Sequence, residues 1–301
     1  MAHVHHFTYG PITLLLAYVV SVLGCLLGLI CTARARETTR IAWRVRWLAL
    51  GAVSIGGTGI WLMHFLAMLG FTVSNTFIFY DPALTALSAL MAVGIVAVGM
   101  FIVGLGRPSL AKVLVGGVVT GLGVAAMHYI GMAAMQVLDG NVRYDAPLVA
   151  LSVVIAIVAA TVALWFTIVI KSRPALAAAS PIMAVAVTGM HYTGMAAVSV
   201  REVLGRGRVQ GVDVTTLLIP SAVIVGTVLI ALLYATLSAP AAEERAAEAL
   251  MARLLHESED QEPRPVARPT RATMRTQLRH GVALGEESTM PAEAGGAFAP
   301  R

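Results

Sequence analysis

Met127-His128-Tyr129-Ile130-Gly131-Met132 decides how the rest of this chain is read. The hexad recurs as Met190-His191-Tyr192-Thr193-Gly194-Met195 and, in looser form, as Met63-His64-Phe65-Leu66-Ala67-Met68. His64 and His128 are 64 residues apart, His128 and His191 are 63 apart, and each copy lies inside a long apolar run. A histidine in such a run is costly and is retained for a reason. The other five histidines lie outside these runs, so the search for function starts with these three.

Composition places the chain in a membrane. Hydrophobic residues make up 58% of the 301 residues and charged residues 12%, about half the charge of a soluble globular domain. Runs of 20 or more apolar residues read as spans at about 11–31, 47–70, 83–105, 113–136, 147–170, 175–199 and 216–238. The fold class is therefore all-α: a polytopic protein of seven transmembrane helices in membrane lipid. The net charge of +5 is no nucleic-acid signal, because the basic residues cluster in short links between spans. Cys25 and Cys31 share one span, about 9 Å apart by helical rise, and read as buried thiols.

Orientation follows from those basic residues. The links at 32–46, 106–112 and 171–174 hold nine Lys or Arg, against four in the links after spans two, four and six. This excess sets the first group in the cytoplasm, with the N-terminus outside and the C-terminus inside. Residues 1–10 are then an extracytoplasmic start, 11–238 the membrane domain and 239–301 a cytoplasmic tail. Within the tail, 241–257 reads as a short charged helix, and the Pro, Arg, Glu and Gly beyond it read as disorder. Trp43, Trp47 and Trp61 read as interfacial anchors.

The histidines share one depth. Each lies 15–17 residues past the cytoplasmic start of its span, about 23–26 Å into a core of roughly 30 Å. The repeated unit is a pair of helices, used three times, with a seventh helix added. Such parallel copies are related by an axis along the membrane normal, which draws the even-numbered helices together. Small residues four positions either side of the leading methionine (Gly59 and Ala67, Gly123 and Gly131, Ala186 and Gly194) predict close helix approach.

Imidazole with thioether has a chemical preference. Thioether is a soft ligand suited to copper, and imidazole suits copper, zinc and iron. Zinc commonly adds Cys or carboxylate ligands, and no carboxylate falls within the spans. A proton relay would want Asp or Glu beside the histidines. Histidines that only hydrogen-bond between helices remain a competing reading, as does a copper-handling or transport protein. Transport would need polar groups deeper in the spans, where little beyond Ser and Thr is found.

The thrice-repeated Met-His-Tyr signature across seven spans resembles the MHYT-domain proteins of bacteria, over about residues 6–238. The resemblance implies a membrane sensor of a diatomic gas such as oxygen, carbon monoxide or nitric oxide, acting through bound copper. It implicates His64, His128, His191, Met63, Met68, Met127, Met132, Met190, Met195, Tyr129 and Tyr192 as metal ligands. The first copy departs from the pattern with Phe65 for Tyr and Ala67 for Gly. Family members often join this domain to a cyclase, phosphodiesterase or histidine kinase. No catalytic constellation or Gly-rich nucleotide loop is legible after Pro240, so the chain reads as a stand-alone, non-enzymatic form that signals through a partner.

Overall fold

The computed structural model describes residues 4–5, 8–74, 76–138, 140–202, 211–238, 250–251 and 253–254. His3, His6, Asp139, Arg206, Arg208 and most of the tail, including nearly all of the expected helix at 241–257, lie outside them. Residues 1–240 form one compact unit.

Seven helices among the described residues are long and apolar enough to cross a membrane. They are α1 (Pro11–Glu37), α2 (Ile41–Met68), α3 (Pro82–Gly104), α4 (Leu110–Ala134), α5 (Ala146–Val169), α6 (Arg173–Ala196) and α7 (Val214–Ser238). This is a multi-pass membrane protein. The expected basic link at 32–46 is corrected to three residues, 38–40, because α1 runs on to Glu37 and α2 starts at Ile41. Arginine is a good helix former, and a hydropathy reading ends a span at charges that helical propensity carries through.

α1 packs on α2 and α6, α3 on α2 and α4, and α5 on α4 and α6, so six helices close a ring. α7 lies against α1 and α2, and α2 is the most buried helix of the seven. The three hexads lie near the C-terminal ends of α2, α4 and α6. Two of those helices are regular, but residues Val53–Leu62 of α2 form a π-helical stretch just before Met63. Its sequence, VSIGGTGIWL, carries three glycines that weaken α-helical preference. One of them, Gly59, lies so close to α1 that a Cβ on Gly24 would stand 2.4 Å from its nitrogen.

Six short strands join the helices at the histidine end: β1 (Val4–His5), β2 (Thr72–Val73), β3 (Ile78–Tyr80), β4 (Met135–Val137), β5 (Gly140–Tyr144) and β6 (Val198–Glu202). β1 pairs with β2, β3 with β4 and β5 with β6, all antiparallel. Each repeat is thus strand, helix, helix, strand, and its two outer strands close on each other. A backbone bond repeats the closure: Asp81 N–H donates to Ala134 O at 2.9 Å and Asp145 N–H to Ala197 O at 2.9 Å. The first copy uses Thr8 N–H to Gly70 O at 3.1 Å. Asp81 and Asp145 then cap their helices, accepting from Leu84 N–H at 3.0 Å and Leu148 N–H at 3.2 Å, with Pro82 and Pro147 in the first turns.

Candidate metal centre

The repeat closure fixes the height of the three hexads, and the helix ring turns their histidines inward. His64, His128 and His191 are each 1% exposed, and their rings meet at the centre of the bundle. Nδ1 of His64 is 3.0 Å from Nδ1 of His191 and 3.2 Å from Nδ1 of His128. Ring centroids stand 5.0, 5.0 and 5.2 Å apart, with planes at 81°, 81° and 89°. The three copies therefore form one site, a three-bladed arrangement with ring nitrogens at its hub.

That hub suits a cation better than a set of hydrogen bonds. A ring nitrogen carries either one N–H or one in-plane lone pair. His64 Nδ1, facing two others, cannot align well with both. Three nitrogens bound to one ion at about 2.0–2.1 Å in a tetrahedral arrangement stand about 3.3 Å apart, close to the separations observed. Among the described residues these histidines are the one group of His, Cys, Asp or Glu side chains placed to hold a metal.

The opposite ring edges explain the hexad glycines. A Cβ on Gly131 would stand 2.6 Å from Nε2 of His64, and one on Gly194 would stand 2.4 Å from Nε2 of His128. The small stripe was expected to bring helix backbones together. At these two positions it makes room for an imidazole from the neighbouring repeat instead. Both Nε2 atoms are buried without a hydrogen-bond partner among the described residues.

Met63, Met68, Met127, Met132, Met190 and Met195 are all buried in the same core. Met190 also lines a small apolar chamber with Met100, Met183, Thr120 and several alanines of α5. The tyrosines lie further out. Tyr129 turns its hydroxyl to Ser152 of α5 at 2.7 Å and its ring to Tyr144 at 5.7 Å. Burial, and after it the neighbouring Tyr129, holds the Tyr144 phenol above the usual tyrosine range. Tyr192 is half-buried, its ring 5.0 Å from that of His191.

Phe65, which breaks the pattern, has a substitute. Trp61, one turn earlier on the same helix, donates from Nε1 to Ser88 at 3.0 Å. Ser88 and Ser152 each lie seven residues after the capping aspartate of their helix. Trp61 thus makes in the first copy the bond that Tyr129 makes in the second. This corrects its reading as an interfacial anchor: it is 7% exposed and packs on Phe65. Trp43 is exposed, as expected of an anchor, with Arg46 over its ring. Both cysteines are free and buried, as expected.

Comparison with known proteins agrees with this geometry. The model of the MHYT family, the bacterial signalling protein N-terminal repeat, matches residues 57–116 and 121–180. The third hexad lies beyond these two matches and is tied to the others by structure. The chain is 36% identical over 200 residues to the bifunctional diguanylate cyclase/cyclic di-GMP phosphodiesterase MucR of Pseudomonas aeruginosa, covering 63% of this chain and 28% of that protein. It is 37% identical over 197 residues to the cyclic di-GMP phosphodiesterase NbdA of the same organism, covering 63% and 24%. The signaling protein YkoW of Bacillus subtilis is 28% identical over 200 residues, covering 64% and 24%. The chain thus spans about a quarter of the length of these relatives. No solved structure is significantly similar to it. Helix count and hexads agree with those two matches, which make residues 57–180 of this chain MHYT repeats.

Proposed function

We propose that this protein is a membrane sensor that binds copper through His64, His128 and His191 and responds to a diatomic gas, with oxygen, carbon monoxide and nitric oxide the chemical candidates. The observation that carries the reading is the convergence of three Nδ1 atoms within hydrogen-bond distance in a buried, apolar centre. Copper is preferred over zinc because six methionines, soft thioether donors, are buried in the same core and no carboxylate joins the histidine group among the described residues. A copper ion held by three imidazoles would keep a coordination position for a small ligand. The six methionines supply soft, polarisable walls and, in Met63, Met127 and Met190, candidate further ligands. Tyr129 and Tyr192 flank the histidine rings, and Tyr129 positions its neighbour through Ser152.

The basic links support an orientation with the N-terminus outside and the histidines near the outer face. Output is then non-enzymatic in this region and passes to a signalling partner or domain on the cytoplasmic side, as the names of the relatives suggest. Gas binding would act by favouring one packing of the even helices over another. The chamber below the site argues against ion transport. It is lined by apolar side chains, with Thr120 and Thr167 the hydroxyls on its wall, and a transported cation needs polar groups along its path.

Optical and infrared spectra of the purified, copper(I)-loaded protein, with and without carbon monoxide, test this reading. A copper spectrum that carbon monoxide alters in the wild type, and that is absent from the H64A/H128A/H191A variant, is expected. Copper bound equally by both proteins would refute the site. A copper spectrum indifferent to every gas would leave a copper-handling protein.

A further inference from the structure

The end of the bundle away from the histidines holds a second group of polar side chains without a role so far. A cavity opens between the C-terminal end of α1, the start of α2 and the ends of α3 and α5. Arg36 and Arg44 line it, with Leu48, Met100, Val103 and Ile168 among its apolar walls. Nη1 of Arg36 and Nε of Arg44 are buried, and neither has a hydrogen-bond partner among the described residues.

Neighbouring basic groups are engaged in other ways. Lys112 Nζ donates to Leu105 O at 2.8 Å. Arg34 donates to Thr236 O at 3.3 Å and lies 3.9 Å from the carboxylate of Glu37. Arg36 spends Nη2 on Ile170 O at the end of α5, leaving Nη1 turned to the cavity. A guanidinium cannot deprotonate to escape burial, so two such N–H groups without an acceptor are costly. The wall threonines Thr32 and Thr167 give their hydroxyl hydrogens to Leu29 O and Leu164 O, and neither oxygen accepts from Arg36 Nη1 or Arg44 Nε.

We propose that Arg36 and Arg44 form a binding site for a phosphate group at this end of the bundle. Guanidinium forks match phosphate oxygens in geometry and charge. The mixed lining, two cations beside leucine, methionine, valine and isoleucine, fits a phosphate that carries an apolar body, as a phospholipid headgroup does. Basic pockets between membrane helices take such headgroups. Because Arg36 also closes the end of α5, a bound phosphate ties α1, α2 and α5 together at one point.

The test uses the full-length chain, delipidated in detergent and followed by thermal unfolding. Three additions are compared: phosphatidylglycerol, phosphatidylcholine and inorganic phosphate. Phosphatidylglycerol is expected to raise the midpoint by about 5 °C at saturating lipid, and Arg44→Gln to abolish most of that rise. Arg40→Gln, at the exposed start of α2, should keep it. Arg44 is the informative position because its Nε has no protein partner among the described residues. If Arg44→Gln does not purify, Arg44→Lys keeps the charge without the fork and should bind about tenfold more weakly in native mass spectrometry. An equal, Arg44-dependent rise with inorganic phosphate would keep the site and make free phosphate its ligand. A smaller, Arg44-dependent rise is expected with zwitterionic phosphatidylcholine; no rise with any of the three, or a rise that survives in Arg44→Gln, overturns the proposal.

Discussion

The imidazole of His64 occupies the space that a side chain at Gly131 would fill, with Nε2 only 2.6 Å from the position of a Cβ there. His128 stands in the same relation to Gly194, at 2.4 Å. The second and third repeats therefore each hold the histidine of the repeat before them in place by omitting a side chain of their own. Gly131→Ala and Gly194→Ala should each push an imidazole off the hub. Overpacking of this kind costs about 1–3 kcal/mol. Thermal unfolding and metal content of each variant check this, with retained metal and unchanged stability as the contrary outcome.

Tyr129→Phe and Trp61→Phe test the hydroxyl and indole that reach Ser152 and Ser88. Each should cost about 0.5–1.5 kcal/mol, the net worth of one hydrogen bond, and Trp61→Phe somewhat more through lost packing. Both variants should keep the metal. Metal lost from Tyr129→Phe, with the fold intact, would assign the phenol to the metal itself.

The π-helical stretch Val53–Leu62 should tolerate the loss of one residue. Such a stretch accommodates an extra residue relative to an α-helix. Deleting Gly57, whose Cβ position touches only Val93 at 3.7 Å, should let the stretch revert to α-helix and keep His64 at the hub. Deleting exposed Val118 from α4 should turn His128 about 100° away. Metal retention in the second variant, or its loss in the first, would contradict this account of the stretch.

The helices and the threefold repeat were legible in the sequence because apolar length and a recurring histidine are strong, local signals. Convergence of His64, His128 and His191 was an expectation resting on the threefold repeat, because matched depth alone does not say which way each ring faces. The strand pairs were not legible: β1 and β2 are two residues each and pair across α1 and α2, so no local alternation marks them. Trp61 was misplaced because its partner Ser88 is 27 residues away on another helix. The role of Gly131 and Gly194 was half legible. Spacing marked them as small, but only packing shows that an imidazole fills the space. The Arg36–Arg44 cavity was hidden by reading 32–46 as a solvated link, where helix continuation brings both side chains under cover.

The central claim is that three histidines make one site. Copper content per chain in the wild type and in His64→Ala, His128→Ala and His191→Ala, each measured singly on folded protein, tests it most directly. One shared site predicts about one copper per chain in the wild type and a loss of most of it in every single variant. Three independent sites would instead lose a third in each, and that result would contradict the account.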